Sequence, residues 1–180
     1  MVFSGLPGSG KSWLASKIAP SVGLHVIDKD DILESLFDSR GIGDAAWRRV
    51  LSRESDRIFQ REAESSRGAL LVSFWRLTGM PPGSGTPTAW LRDLSNRLVH
   101  VHCVCPPEVA ARRYSQRTRH PGHLDNGKSY TEVLQGLQTL ARLPAPTLGL
   151  GIDVDKSCEV DVDLVACAIA ERLDKGGVDG

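Results

Sequence analysis

The chain has 180 residues, and its 22 Lys and Arg balance 22 Asp and Glu, so the formal net charge is zero. This balance excludes the overall basic charge typical of a dedicated nucleic-acid-binding protein, although it is compatible with a local basic groove. No apolar run approaches a membrane span and no basic-then-apolar leader precedes the first motif, so we expect a soluble, cytoplasmic protein of one domain.

Residues 5–12 read GLPGSGKS, a complete G-x-x-x-x-G-K-[ST] motif. Glycines let the backbone turn so that successive N–H groups face one anion, and the following helix adds its positive end. A short apolar strand at 1–4 and a helix at 13–19, which Pro20 ends, supply the flanks that this motif requires. The residues expected at a bound nucleoside triphosphate are Gly5, Pro7, Gly8, Ser9, Gly10, Lys11 and Ser12. Lys11 would reach the β- and γ-phosphates, and the Ser12 hydroxyl would bind Mg²⁺.

The rest of the chain alternates between apolar strands and amphipathic helices. Further strands are predicted at 24–28, 69–75, 98–104 and 148–154. Helices are predicted at 30–37, 44–66, 88–96, from Pro107 onward and at 162–173, with a Gly- and Pro-rich loop at 78–87. This alternation predicts an α/β fold, in which a parallel sheet carries helices on both faces.

The four cysteines do not form a metal or redox motif. Cys103 and Cys105 alternate on a predicted strand, and Cys158 and Cys167 lie far from them in sequence. None has C-x-x-C spacing, so we expect reduced structural thiols rather than a zinc site or a reactive dithiol.

An acidic cluster, Asp28, Asp30 and Asp31, follows the second predicted strand. The carboxyl ends of strands are where doubly wound sheets bind ligands, and a second βα unit would bring this cluster beside the phosphate loop. One carboxylate can hold Mg²⁺ through water, and another can accept the proton of an attacking hydroxyl. The alternative is that these residues only cap the following helix and favour its dipole.

Arginines recur after the fourth predicted strand. Arg113 and Arg117 are four residues apart, so on a helix they would share one face and could point together at transferring phosphates. Arg117 is the first choice for this role and Arg113 the second, with Arg112 or Arg119 as further candidates. An ordinary solvated basic face is the alternative.

The segment that follows contains His120, His123 and Asp125. It lacks the usual zinc spacings, which favours a lid that touches phosphate or acceptor over a metal site.

Together, residues 5–12, 28–31 and the arginine-rich segment resemble the small P-loop kinases. That group includes polynucleotide 5′-kinases, gluconate and shikimate kinases, chloramphenicol phosphotransferases and zeta-toxin-type kinases. The resemblance implies a five-stranded parallel sheet in the order 2-3-1-4-5, an acceptor-binding helical region at about 31–67 and an Arg-rich lid at about 113–129. It also implies that Asp30 is the base for the acceptor hydroxyl and that Asp28 lies near Mg²⁺.

Acceptor recognition is less clearly encoded. In this fold the acceptor binds between the helices after the second strand and the end of the third strand, so the candidates are Arg53, Arg57, Trp75 and Arg76. The segment 83–90 is expected to fold over the same pocket, although Trp90 is more typical of a core residue. Arg53 and Arg57 alternate with acidic residues and could form only surface ion pairs. Residues 153–156 occupy the place where members of the group often contact adenine.

Three functions are consistent with these features. The first is a kinase that uses ATP and Mg²⁺ to phosphorylate a hydroxyl of a small molecule, with Asp30 as general base. The second is a polynucleotide 5′-hydroxyl kinase, which should also have a positive channel. The third is an ATP-dependent switch without an acceptor. ATP is favoured over GTP because the chain has no Asn-Lys-x-Asp sequence, and the oligomeric state is not predicted.

Overall fold

The structure is a computed structural model that describes residues 1–94, 98–125 and 127–175. Its strands are β1 (Val2–Gly5), β2 (His25–Asp28), β3 (Ala69–Val72), β4 (Val99–Val104) and β5 (Leu150–Asp155). Its α-helices are α1 (Lys11–Val22), α2 (Lys29–Arg40), α3 (Ala45–Ser65), α4 (Leu91–Leu94), α5 (Pro107–Gln116), α6 (Tyr130–Ala141) and α7 (Val162–Lys175). Residues Pro121–His123 form a 3-10 turn.

The five strands form one sheet in the order β2-β3-β1-β4-β5, and every neighbouring pair is parallel. This confirms the predicted α/β class and strand order. The carboxyl ends of parallel strands lie along one edge of the sheet. Asp28 at the end of β2 is in register with Val72 of β3, and Gly5 at the end of β1 with Cys103 of β4. The loops after β1 and β2 therefore meet at the same edge.

Helices cover both faces of the sheet. Because successive side chains of a strand point to opposite faces, neighbouring residues of one strand are buried in different clusters. Phe3 of β1 packs with α1 and α7, in a cluster that includes Leu14 and Ile169. Its neighbour Val2 packs on the other face, in a cluster that includes Phe59 of α3. None of the helices described has the length and apolar character needed to cross a membrane.

The first helix does not end where the sequence predicts. It continues through Pro20 to Val22. Proline lacks the N–H of a helical hydrogen bond, but its fixed φ is compatible with the helix. The helix ends at Gly23, whose φ of 65° is left-handed and whose N–H caps the carbonyls of the last turn.

Other predicted elements also differ from the structure. Strand β3 ends at Val72 rather than at residue 75, since the chain then leaves the ladder and Trp75 only bridges to Thr86. The helix predicted at 88–96 is described only as Leu91–Leu94, and its expected end at Asn96 lies outside the described residues. Helix α6 was not predicted at all. Within the expected lid, Asn126 also lies outside the described residues.

The four cysteines are free thiols, but only two are buried. Burial raises the pKa of Cys103 to about 11, which keeps this thiol protonated and unreactive. Cys158 and Cys167 are exposed, so the expectation of structural thiols fits Cys103 and Cys105 only.

Candidate active site

The phosphate loop connects β1 to α1 through three sharp turns. Gly5, Gly8 and Gly10 have φ values of 137°, 82° and 86°, a region that favours glycine. Space is restricted as well, because a Cβ on Gly8 would lie 2.3 Å from the carbonyl oxygen of Ala110. Only glycine fits this path, which is the kind of path that turns successive N–H groups toward an anion.

Lys11, the first residue of α1, is buried beneath this loop. Its Nζ donates to the carbonyl oxygens of Gly5 at 3.1 Å and Leu6 at 3.0 Å. Burial lowers the pKa of Lys11, and the nearby carboxylates of Asp28 and Asp30 oppose this effect. A cation held by neutral carbonyls can exchange them for phosphate oxygens, with which its hydrogen bonds are stronger.

Ser12 and Asp28 form a pair of oxygen ligands beside the loop. The Ser12 hydroxyl donates to Asp28 Oδ2 at 2.6 Å, and the Asp30 N–H donates to Asp28 Oδ1 at 2.9 Å. Asp28 therefore has two roles in the fold: it is the N-cap of α2, and it contacts the end of the phosphate loop through Ser12. Burial raises its pKa to about 6, although both hydrogen bonds oppose the increase. A hydroxyl and a carboxylate are ligands that Mg²⁺ accepts.

Asp30 lies in the first turn of α2, with its side chain 53% exposed. Its Oδ2 accepts a hydrogen bond from Arg119 at 3.0 Å. Lys11, Ser12 and Asp30 line one cleft of about 810 Å³, a volume typical of small-ligand sites. The sequence-predicted phosphate loop and acidic cluster thus come together.

The two arginines ranked first for the lid diverge, so the prediction that they share one helical face is wrong. Helix α5 ends at Gln116, and Arg117 is already extended, with a φ of −87° and a ψ of 139°. Arg117 lines the cleft, with its guanidinium 5.1 Å from the ring centre of Tyr114. Arg113 donates instead to the carbonyl oxygen of Lys156 at 2.7 Å and lies outside the cleft.

Arg119, only a further candidate from the sequence, is the centre of a hydrogen-bond network in residues 113–129, the segment predicted to be a lid. Besides Asp30, its guanidinium bonds to Asp125, to the Tyr114 hydroxyl at 3.1 Å and to His123 Nδ1 at 3.2 Å. Burial alone would raise the pKa of Asp125, but the hydrogen bond from Tyr114 and the charge of Arg119 bring it below its usual range. This network joins the lid to the catalytic candidate on α2.

The two lid histidines also bind α2. His123 lies 2.8 Å from Glu34, and His120 lies 3.1 Å from Asp38 and stacks on Phe37 with ring centres 5.3 Å apart. Because arginine can only donate, His123 Nδ1 accepts from Arg119 and its Nε2–H donates to Glu34. Burial lowers the pKa of His123, which is consistent with this neutral form.

The predicted acceptor residues lie elsewhere. Trp75 is 1% exposed and donates from its indole N–H to the carbonyl oxygen of Phe3 at 2.8 Å, so it is a core residue. Arg76 donates to the carbonyl oxygen of Ser84, and this bond holds the following loop. Arg53 and Arg57 are exposed on α3 and do not line the cleft. The physical reason is that both arginines lie on the side of α3 opposite to its buried residues, which include Leu51 and Phe59.

The cleft is instead lined by residues nearer the starts of α2 and α3. Lys29 of α2 and Arg48, Arg49 and Ser52 of α3 face it. Lys29 is buried, and its Nζ lies 2.8 Å from Asp56 and 3.3 Å from the Ser52 hydroxyl. Sequence periodicity alone contains a signal for Arg48, which falls on the buried side of α3.

A separate groove lies between the phosphate loop and the segment after β5. Lys156 places its ammonium group 4.1 Å from the ring centre of Trp13, and Arg113 and Cys158 complete the groove. Of the predicted adenine-contacting segment 153–156, Lys156 is the residue that lines this groove.

The architecture and the phosphate loop define a P-loop protein with the fold of small kinases. Similar structures include a candidate kinase from Chloroflexus aurantiacus J-10-fl, with 21% identity, a TM-score of 0.72 and coverage of 96% of this chain and 97% of that one. Shikimate kinase from Bacteroides thetaiotaomicron has 19% identity and a TM-score of 0.62, with coverage of 96% and 97%. A sugar kinase from Janibacter sp. HTCC2649 has 19% identity and a TM-score of 0.53, with coverage of 96% and 92%.

A family model described as an AAA domain matches residues 1–139. The chain therefore belongs to this AAA-domain family, and its fold is that of the small P-loop kinases. No curated protein matches the sequence at a significant level.

Proposed function

We propose that this protein is an ATP-dependent kinase that transfers the γ-phosphoryl group to a hydroxyl of a small molecule. The observation that carries the proposal is the common cleft, in which the half-exposed carboxylate of Asp30 faces the same space as Lys11 and Ser12. A nucleotide switch would not need a carboxylate at this position, whereas a kinase needs one beside its acceptor.

The residues present fit a nucleotide with its metal. The glycine turns and Lys11 would hold the triphosphate, and Ser12 and Asp28 would hold Mg²⁺ directly or through water. When bound, Mg²⁺ would help to neutralise the charge of the phosphate oxygens.

In the proposed step, the acceptor oxygen forms a bond to the γ-phosphorus while its proton passes to the Asp30 carboxylate. The bond from the γ-phosphorus to the bridging oxygen breaks, and ADP leaves with that electron pair. Lys11 and Arg117, both on the cleft wall, stabilise the charge of the non-bridging oxygens. Arg119 positions the Asp30 carboxylate, and the lid excludes water that would otherwise hydrolyse ATP.

The test is a mass-spectrometric screen for ATP-dependent phosphate gain, with hydroxyl-bearing metabolites and antibiotics as acceptors and a 5′-hydroxyl oligonucleotide in parallel. Asp30→Asn is the control and should keep ATP affinity while lowering turnover by about 10²–10⁴-fold. Phosphorylation of the oligonucleotide alone would indicate a polynucleotide kinase. ATP binding without any product would favour the switch, and full turnover by Asp30→Asn would exclude Asp30 as the base.

A further inference from the structure

The acceptor side of the cleft contains two arginines without a balancing acid. Arg48 and Arg49 line the cleft at the start of α3, and among the described residues neither forms an ion pair. The other cations of this wall differ, since Lys29 pairs with Asp56 and Arg119 pairs with Asp30. The two arginines therefore leave a net positive charge in this part of the cleft.

Arg48 also has a buried hydrogen-bond donor that lacks an acceptor within the described part of the chain. Its Nε is buried and has no hydrogen-bond partner among the described residues. Helix α3 buries Leu51, Ser55 and Phe59, and at 100° per residue Arg48 falls at the centre of that face. Arg48 as a whole is only half-buried, so its guanidinium remains accessible from the cleft. A buried N–H donor without an acceptor costs free energy, and in a cleft this favours a ligand that supplies the acceptor.

The helix itself adds to the positive charge. Asp44 is the N-cap of α3 and accepts from the Trp47 N–H at 2.8 Å, which places Arg48 and Arg49 in its N-terminal turns. The helix dipole is positive at this end and disfavours cations there, so the two arginines are not explained by helix stability.

The phosphates of ATP are not the natural partner of these two residues. Helix α3 packs on α2 and β2, whereas the phosphate loop follows β1. Strands β2 and β1 are separated by β3, a distance of about 10 Å across the sheet. Lys11 already lies at the phosphate loop, where its Nζ donates to the carbonyl oxygens of Gly5 and Leu6.

We propose that the acceptor is a small hydroxylated oxyanion, a carboxylate or a phosphate monoester, whose anionic group is bound by Arg48 and Arg49 while its hydroxyl faces Asp30. This inference rests on the proposed kinase function. Guanidinium groups bind both oxyanions through paired N–H donors, so the shared chemistry is a planar or tetrahedral set of anionic oxygens.

The test uses matched acceptor pairs that differ only in charge. Hydroxy acids are compared with their carboxamides, and sugar phosphates with the parent sugars, by ADP release and product mass with the full-length protein. Only the anionic members should be phosphorylated, and the two sets of pairs distinguish a carboxylate from a phosphate. Equal turnover of the neutral members would overturn the inference and leave the kinase function intact. Absence of product from every pair, despite ATP binding, would count against both.

Variants then locate the anion site. Arg48→Gln and Arg49→Gln should each raise the KM for the anionic acceptor by about 10- to 100-fold, with little change in the KM for ATP. Arg48→Lys should restore part of the loss. Arg53→Gln is the matched control, because this exposed arginine of the same helix does not line the cleft. An unchanged acceptor KM in Arg49→Gln and in a folded Arg48→Gln would refute the assignment.

Discussion

Asp28 is a buried carboxylate whose ionisation opposes folding. Its pKa rises from 3.8 to about 6, chiefly because of burial. The folded chain binds this proton more tightly than the unfolded chain. The contribution of Asp28 to the free energy of unfolding is therefore fully present below about pH 4 and is lost as the pH rises through about 6. We therefore expect Asp28→Asn to stabilise the protein at neutral pH in the absence of nucleotide.

The size of the effect follows from the same linkage. At pH 7 the pKa difference corresponds to about 3 kcal/mol of unfolding free energy, and at pH 5 to about 1.5 kcal/mol. Asparagine conserves the hydrogen bonds, because its oxygen can accept from the Asp30 N–H and its amide can donate to the Ser12 hydroxyl. The expected gain is therefore about 1.5 kcal/mol at pH 5 and about 3 kcal/mol at pH 7.

Urea unfolding of wild type and Asp28→Asn at pH 5, 6 and 7 measures this gain. Asp163→Asn is the matched control, since this carboxylate is exposed in the first turn of α7 and its replacement should not produce a comparable pH-dependent gain. A variant no more stable than wild type at pH 7, or a gain that does not grow between pH 5 and pH 7, would refute the burial argument.

Four further predictions test individual contacts. Lys11→Ala should abolish productive nucleotide binding in calorimetry, and retained affinity would contradict its role. Arg119→Gln should lower kcat about 10- to 100-fold at unchanged ATP affinity, with partial recovery in Arg119→Lys. Gly122→Ala would place a Cβ 2.3 Å from the Phe37 ring, so we expect faster hydrogen exchange in the lid and a lower kcat. Trp75→Phe should reduce stability by about 1–3 kcal/mol, because it leaves the buried carbonyl oxygen of Phe3 without the indole N–H donor. An altered KM for the acceptor would contradict the core placement of Trp75.

Local chemistry explains why the nucleotide side was predictable. The phosphate loop is a contiguous sequence. Asp28 ends a strand and Asp30 closely follows it, and the end of this strand must lie at the same edge as the loop. Helix α6 also has a readable signal, a capping box of Ser129 and Glu132 followed by apolar residues at helical spacing. The sequence therefore contains enough local information to predict α6.

The contacts of the predicted lid segment and of the cleft wall beside α3 depend on the tertiary structure. The acidic residues Asp30, Glu34 and Asp38 recur every four positions and form one face of α2, but only the fold shows that Arg119 and the lid histidines meet it. Likewise, α3 has several arginines of similar sequence context, and packing decides which of them reach the cleft. The prediction that Arg113 and Arg117 share one helical face was wrong because α5 ends between them, at Gln116.

Asp28 and Arg48 share a physical pattern that links stability to ligand binding. Burial raises the pKa of Asp28, Arg48 has a buried Nε without a hydrogen-bond acceptor among the described residues, and both residues line the cleft. Because Asp28 must lose its proton to bind Mg²⁺, the Mg²⁺ requirement for nucleotide binding should depend on pH. With a pKa of about 6, the Mg²⁺ affinity should be about fourfold weaker at pH 5.5 than at pH 7.5.

The nucleotide phosphates also titrate in this range, so Asp28→Asn provides the reference. Thermal unfolding with ADP across a Mg²⁺ titration at both pH values measures the difference between the two proteins. The variant should be more stable alone yet gain less from Mg²⁺, because the carboxylate that weakens the empty fold is the one that the metal would neutralise. An identical Mg²⁺ response in the two proteins would show that Asp28 acts only as the cap of α2.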